Sequence, residues 1–186
     1  MTRKWHMPYV LVLLVVMTLS WAGAQQVNNT NDTGVGSLRE AIANASNGDT
    51  ITFDASLAGQ TITLGSVLPT ITIANLTIDA SSLANPVTIA GNNNFRIFTH
   101  TRNGTFEINN LVVTRGDPGF SNNGGGIYSE GTVTVTNSTI SDNTSGEGGG
   151  GIFGEGNVTV TNSIISENET IFDGGGIYSE GIVPVT

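Results

Sequence analysis

The sequence predicts an all-β fold, a right-handed parallel β-helix with a short N-terminal capping α-helix. A segment that opens with three glycines, residues 124–131, returns 25 residues later as residues 149–156 and again as residues 174–181. Within each period apolar and polar residues alternate, which is the pattern of strands rather than helices. A fixed period of this size indicates a solenoid whose turns stack and bury one another's apolar faces.

The segment after the glycines repeats as well. Residues 133–138 read VTVTNS, and so do residues 158–163. Each strand is therefore expected to pair with its own equivalent one period later, which makes the sheets parallel. Parallel connections are overwhelmingly right-handed. At ~25 residues per coil, the chain after residue 24 is expected to make about six coils.

Residues 1–24 are predicted to be a secretory signal peptide rather than part of the fold. Arg3 and Lys4 form a basic start. Residues 10–19 are an apolar run, about half of the ~20 residues that a membrane-spanning helix needs. Residues 22–24 then supply the small side chains of a cleavage site. We therefore expect export, and no transmembrane segment in the mature chain.

The next segment, residues 25–49, is predicted to be an N-terminal cap with one helix over about 37–46. A capping box begins at Ser37, in which a hydroxyl and a glutamate each bond a free backbone amide of the first turn. Leu38 and Ile42 follow at helical spacing and give the helix one apolar face. This face is expected to cover the open apolar end of the first coil.

Residues 50–186 are predicted to form the coils of the β-helix. The last coil ends in residues 182–186, a strand with no polar capping repeat after it. We therefore expect a C-terminal truncation, with the chain forming part of a longer polypeptide. In the less regular first half, alternating strands are predicted at residues 50–53, 61–64, 70–73, 76–79, 87–89, 106–108 and 111–113.

Charge and cysteine content restrict the partners. Once residues 1–24 are removed, four basic residues face 15 acidic ones, a net charge of −11. Such a chain repels nucleic acid, acidic polysaccharides and anionic lipid. It contains no cysteine. An exported protein without disulfides must be held together by packing and by a ladder of hydrogen bonds, and this is typical of a bacterial source.

Two stretches resemble known bacterial surface proteins. Residues 27–42, which contain Ser-Leu-Arg-Glu-Ala, closely resemble the CSLREA motif that opens many large β-helical surface proteins, with Gly36 in place of the namesake cysteine. The Gly-Gly-Gly-Ile-Tyr units, with residues 120–123 and 140–143, resemble the repeats of polymorphic outer membrane proteins and autotransporter-type adhesins. The resemblance implies a pectin lyase-like β-helix and a place at the cell surface or outer membrane. It implies no particular ligand.

The main alternative function is that of a fragment of a β-helical polysaccharide lyase or hydrolase. Such chemistry needs paired carboxylates at a set separation, or a metal site with a nearby base. The chain after residue 24 has a single histidine, His100, and no Asp-Asp pair. Arg96, His100 and Arg102 cluster in sequence, and a solvated loop or coil edge is their more ordinary interpretation. We therefore predict no enzymatic activity, no catalytic, cofactor-binding or metal-binding residues, and no cofactor.

An ice-binding threonine array is a remoter alternative. Thr134 and Thr136 would point outward, with Thr159 and Thr161 beside them in the next coil. Strands ~4.8 Å apart and alternate residues ~6.7 Å apart would make a flat hydroxyl grid. The grid is expected to be only two coils tall, because Pro184 takes the place of Thr134 in the coil after these two and Glu107 takes it in the coil before them. Threonine is also simply a good outward strand residue.

Acidic residues gather near the predicted turns. A calcium site requires several oxygen ligands that converge on one point. The nonapeptide repeat of calcium-binding β-rolls is absent from the sequence. We therefore expect these residues to keep the chain soluble. They are Asp142, Glu147, Glu155, Glu167, Glu169 and Asp173.

Tyr128, Phe153 and Tyr178 recur at one position of the repeat and form the candidate contact ladder. Each follows an isoleucine, so alternation places the isoleucine column in the core and the aromatic column outside. An exposed aromatic column is either a platform for a sugar ring or a partner, or a self-stack that stiffens the scaffold. The second interpretation is favoured. Asn137 and Asn162 are expected to form a buried ladder in a turn, each amide bonding the next.

Taken together, these observations favour a secreted or cell-surface scaffold without enzymatic activity. It is adhesin-like and projects from a bacterial cell. Its expected partners are glycans or other cell-surface molecules, and its charge argues against nucleic acid.

Export is testable at the N-terminus. If residues 1–24 are a signal peptide, N-terminal sequencing of the exported protein should begin at Gln25, because the small residues before it are the cleavage site. A mature N-terminus that retains Trp5 or Met7 would contradict this prediction.

Overall fold

The computed structural model describes residues 25–186, so the predicted signal peptide lies outside the described residues. The fold is a parallel β-solenoid of about six turns with one short α-helix, as the sequence predicts. Every pair of neighbouring strands is parallel, and each strand pairs with its equivalent one turn later.

Sheet A runs the whole length of the solenoid, with one strand for each of six turns. Its strands are β1 (Gln25–Val27), β2 (Asp49–Phe53), β4 (Asn75–Asp79), β7 (Thr105–Asn109), β10 (Thr132–Thr136) and β14 (Val158–Thr161).

The other sheets are shorter. Sheet B contains β3 (Thr61–Thr63), β5 (Val87–Ala90), β8 (Leu111–Thr114), β11 (Thr139–Ser141) and β15 (Ile164–Ser166). Sheet C contains β6 (Phe98–His100), β9 (Ile127–Ser129), β13 (Ile152–Gly154) and β17 (Ile177–Ser179). Sheet D contains β12 (Thr144–Ser145) and β16 (Glu169–Thr170), so one complete turn runs through β10, β11, β12 and β13.

The core is built from columns of like side chains, one from each turn. The strand period of two puts alternate residues inside, and the parallel register sets each inward side chain above its equivalent. The column in sheet A is essentially inaccessible to solvent. The residues that precede and follow each member along its strand point outward and are half-buried. Its members are Ile51, Ile78, Ile108, Val135 and Val160.

The corner between sheets A and B corrects one expectation. Asn137 and Asn162 do not form a buried ladder, because both side chains are exposed. Their backbones lie in the left-handed region, with φ of 48° and 49°. Asparagine tolerates that conformation better than most residues, and it ends each sheet A strand there. The residue that follows turns inward instead, and Ser138 Oγ accepts the backbone N–H of Leu111 in the turn below.

A buried asparagine ladder does exist, at the next corner. Asn143 is inaccessible to solvent, and its Nδ2 lies 2.9 Å from Asn168 Oδ1 in the next turn. Asn143 Oδ1 accepts the backbone N–H of Gly116 from the turn below at 2.8 Å. Each amide therefore satisfies backbone groups that the corner takes out of the strand ladder, which is what a buried polar side chain must do.

The glycine triplet is required by backbone approach. Gly124 has φ of +65°, where a side chain would be strained. A Cβ on Gly125 would meet the carbonyl oxygen of Thr144 and lie 2.5 Å from that of Gly150 in the next turn. The triplet recurs because its backbones pack against one another with no room for a side chain between them.

The predicted N-terminal helix is present and is slightly shorter than expected. Helix α1 spans Leu38–Asn44, and its Leu38 and Ile42 are buried in the core of the first coil. Ser37 Oγ accepts the N–H of Glu40, while the Glu40 carboxylate accepts the N–H of Gly36 at 2.6 Å. The capping box thus closes one residue earlier than predicted. The cap also contains β1, which already belongs to sheet A, and a short 3₁₀ turn follows it at Ala55–Leu57.

The predicted strand at residues 70–73 is wrong. Only Ile71 pairs, through an isolated bridge to His100 of β6, a strand that the alternation pattern does not predict. The ladder stops there because the carbonyls of Ile73 and Ala74 bond the imidazole of His100 instead. The other strands predicted in the first half are present.

The two faces of sheet A should respond differently to charge. Val135→Asp or Val160→Asp would bury a carboxylate without a partner, which costs several kcal/mol of the ~5–15 kcal/mol that stabilises a domain. Thr134→Asp and Thr159→Asp add the same charge on the outer face and should change the free energy of unfolding by much less. Urea unfolding followed by circular dichroism compares the four variants. Equal losses on the two faces would disprove the register.

Candidate functional site

The three residues of the contact ladder form one column on the outer face of sheet C. The register aligns Tyr128 with Phe153 and Phe153 with Tyr178. The ring centroids of the first pair are 5.6 Å apart with planes at 7°, and those of the second pair are 4.9 Å apart with planes at 6°. The rings are therefore stacked face to face along the solenoid axis.

Stacking covers the ring faces that a sugar would need. Phe153 lies between the two tyrosines and is only 7% exposed. The guanidinium of Arg96 lies over the ring of Tyr128, 5.0 Å from its centroid, and closes the lower end of the column. The column therefore presents ring edges to its side, which agrees with the favoured self-stacking interpretation.

The lower end of the ladder is held by polar contacts. The guanidinium of Arg96 donates to the carbonyl oxygens of Asn123 and Gly124, and its burial lowers the pKa of this group from the ordinary value. Tyr128 Oη donates to Glu155 Oε1 at 2.6 Å. Burial first, and then the Glu155 carboxylate, raise the pKa of Tyr128 to about 12. The Arg96 guanidinium and the Glu155 carboxylate thus both hold the ring of Tyr128 in the stack.

Beside the ladder lies a corner with exposed apolar side chains. Phe120 is 83% exposed, Ile171 is 60% exposed and Phe172 is 66% exposed. They lie in the turn segments that lead from β8 and from β16 toward sheet C. The repeat pattern in the sequence does not mark them as site residues. The available signal was the presence of bulky apolar residues inside segments otherwise made of Gly, Asn, Asp, Ser and Pro.

Two grooves adjoin at this corner. In each turn, the residues that line the first groove are followed in the sequence by residues that line the second. Ile171 lines the first groove with Phe120, Thr144, Ser145, Gly146, Asp117 and Gly119. Phe172 lines the second groove with Phe153, Tyr178, Glu147, Gly148, Asp173 and Asn123. Consecutive residues of two stacked turns therefore face neighbouring grooves. We refer to them as the apolar groove and the acidic groove.

The basic residues that cluster in sequence do not form a patch. His100 is wholly buried, so the interpretation as a solvated loop is wrong for this residue. Its Nε2 lies 3.1 Å from the carbonyl oxygen of Ile73, and its Nδ1 lies 2.9 Å from Ser129 Oγ. Because a carbonyl only accepts, Nε2 carries the proton and Ser129 donates to Nδ1. Arg102, in contrast, is exposed and bonds the carbonyl oxygen of Thr72.

The outer threonines of sheet A extend further than expected. The register confirms Thr134 beside Thr159, with Glu107 below them. Below Glu107 the column continues with Thr77 and Thr50. The strongly hydrated carboxylate of Glu107 nevertheless interrupts the hydroxyl grid in its middle, so the surface is mixed rather than a continuous array.

Two of the acidic turn residues, Glu147 and Asp173, line the acidic groove together. Among residues 25–186, no group of three or more Asp, Glu, His or Cys side chains is placed so as to hold a metal ion. Within the same residues, no helix has the length and apolar character needed to cross a bilayer.

Comparison with known proteins gives one local match. Residues 137–155 match the family model of the Chlamydia polymorphic membrane protein repeat. This stretch contains the buried Asn143 and the second glycine triplet, so it is similar to that repeat where turn packs on turn. Comparisons with curated protein sequences and with solved structures gave no match.

The buried imidazole predicts a dependence of stability on pH. Burial lowers the pKa of His100, although the carbonyls of Ile73 and Ala74 and the charge of Glu130 act in the opposite sense. As the pH falls below the ordinary value of about 6.5, the unfolded chain takes up a proton that the folded chain resists. The free energy of unfolding should therefore fall.

Urea unfolding at pH 7.5 and pH 5.0 measures this effect in the wild type and in His100→Gln. The two proteins share all their carboxylates and differ at the imidazole, so the difference between their pH-dependent changes in the free energy of unfolding reports on His100. We expect a flatter dependence in His100→Gln, and identical slopes would contradict the prediction.

Proposed function

We propose that this protein is a secreted or cell-surface β-helix scaffold that projects from a bacterial cell and supports adhesion without catalysis. The main support is the parallel stacking of about six turns in one register, because it aligns equivalent outward residues of successive turns along the sides of the solenoid. The local similarity to the polymorphic membrane protein repeat supports a location at the bacterial surface. The acidic surface suits an exported protein that must stay dispersed.

The absence of catalysis is part of the proposal, and the roles of the basic groups support it. His100 is enclosed in the core, and Arg96 is tied to carbonyls and to an aromatic ring. Arg39 forms an ion pair with Asp32 at 2.7 Å and bonds the carbonyl oxygen of Ser66. These groups, which a lyase or hydrolase would need at its substrate, here fasten one turn to another.

The proposal predicts binding without turnover. The purified full chain should release no reducing ends and no unsaturated products from pectin or alginate, with or without calcium. Beads that carry the chain at increasing density should be retained on host cells or glycan arrays with steeply rising strength, because many weak contacts act through avidity. Turnover in either assay would place the protein among the enzymes.

The contact ladder is tested within the same experiment. Changing Tyr128, Phe153 and Tyr178 together to Ser should abolish bead retention if this column is the contact surface. Thr134→Ser combined with Thr159→Ser, on the outer face of sheet A, is the matched control. Circular dichroism must show that both variants keep their strand content. Retention that survives the triple change would discard the ladder and leave the adhesion proposal standing.

A further inference from the structure

An asparagine directly before a glycine is a chemically reactive pair, and the sequence contains it three times. The glycines of these pairs are Gly48, Gly104 and Gly124. The backbone nitrogen of the glycine can attack the side-chain amide carbon of the asparagine before it, because both groups belong to one short segment and no Cβ blocks the approach. The sequence does not distinguish the three pairs, so the fold decides which of them reacts.

Two of the pairs are protected by hydrogen bonds between turns. The backbone N–H of Gly48 donates to the carbonyl oxygen of Asn75 at 2.8 Å, and that of Gly124 donates to the carbonyl oxygen of Gly148 at 2.9 Å. An N–H that is held in this way must leave its acceptor before its nitrogen can attack another group. Asn47 is also held by its side chain, because its Oδ1 accepts the backbone N–H of Asn75.

The pair at Asn103 has neither kind of protection. Within residues 25–186, the N–H of Gly104 donates to no acceptor and the side-chain amide of Asn103 makes no hydrogen bond, although both neighbours of the pair do. Asn103 is exposed and lines a groove of about 510 Å³, to which the turn before contributes Ala74 and the turn after contributes Glu130. Water therefore reaches the pair at a place that has a turn on each side.

The fold requires the glycine of this pair but not the asparagine. A Cβ at Gly104 would collide with the backbone carbonyl group of Ala74, so the chain cannot remove the reactive pair by changing this position. No hydrogen bond of the described residues uses the Asn103 side chain, so a longer amide at the same position should be compatible with folding.

We propose that Asn103 is a site of spontaneous deamidation in the folded protein, with water as the co-reactant. The nitrogen of Gly104 gives its proton to solvent base and forms a bond to Cγ of Asn103. The bond from Cγ to Nδ2 breaks, and Nδ2 takes a proton from water and leaves as ammonia. Water then opens the succinimide ring at either of its two carbonyl groups and breaks one C–N bond. The product at position 103 is aspartate or isoaspartate, and no oxidation or reduction takes place.

The product changes the side of the solenoid in two ways. It places a carboxylate next to Arg102, whose guanidinium bonds the carbonyl oxygen of Thr72 through Nε. Isoaspartate also adds one methylene to the backbone just before Gly104, whose carbonyl oxygen accepts the N–H of Thr132 at 2.8 Å. Deamidation thus alters both the charge of the groove and the backbone that supports the start of β10. The inference does not rest on the adhesion proposal, because the reaction needs no partner.

Peptide mapping by mass spectrometry on the purified full chain tests the inference. One sample is incubated at pH 8.5 in native buffer, and a second at the same pH in concentrated urea until its three pairs have reacted. Without the fold, the three pairs should deamidate at rates within about threefold of one another. In native buffer, Asn103 should react at least about tenfold faster than Asn47 and Asn123, because their glycine N–H groups must first break a hydrogen bond.

Two single variants locate the reaction. Asn103→Gln should stop ammonia release from the folded protein, because its longer side chain would have to close a six-membered ring, and circular dichroism should show unchanged strand content. Asn123→Gln is the matched control and should release ammonia at the wild-type rate. Incubation at pH 6.0 should slow the reaction of the wild type, because the attacking nitrogen must lose its proton.

Equal rates at Asn103 and at either protected pair in native buffer would overturn the inference, since the hydrogen bonds would then give no protection. An intact Asn103 in the folded protein, at a time when all three pairs have reacted in urea, would overturn it as well. Aspartate without any isoaspartate at position 103 would exclude the succinimide ring and with it the role of Gly104.

Discussion

The structure depends on a single constraint, the alignment of each residue with its equivalent one turn later. Backbone amides and carbonyls form hydrogen bonds between turns. Each residue must therefore pack against the equivalent residues of the turn before it and the turn after it. The constraint explains why valine and isoleucine form continuous inner columns and why asparagine can bond the backbone of adjacent turns. It also explains the ladder, because a fixed register sets three aromatic rings at stacking distance.

The sequence predicts what the period controls. The parallel pairing, the inner Val135 and Val160, the aromatic column and the helical cap all follow from alternation and repeat length, and the structure contains them. The sequence misleads where local and long-range bonding compete. Asn143 and Asn137 both sit at corners, and only the backbone conformation decides that the first turns inward and the second outward.

The least predictable parts lie in the turns before the repeat becomes regular. His100 is polar and flanked by threonines, which is typical of a surface strand, yet carbonyls from the preceding turn give it a buried place. The corner grooves were equally hidden. They bring Phe120 and Ile171, from different turns, into the lining of one groove, and no periodic pattern links residues in segments of unequal length.

The small rise of each turn along the solenoid axis determines how much length and how much lateral surface the molecule provides. One turn uses about 25 residues and adds only about 4.8 Å along the axis, whereas the same residues in a helix would span about 37 Å. Six turns therefore rise about 29 Å, close to the ~30 Å thickness of the hydrocarbon core of a bilayer. As a spacer the architecture is inefficient. Most of its residues form broad, stiff flanks, so the architecture supplies lateral surface rather than length.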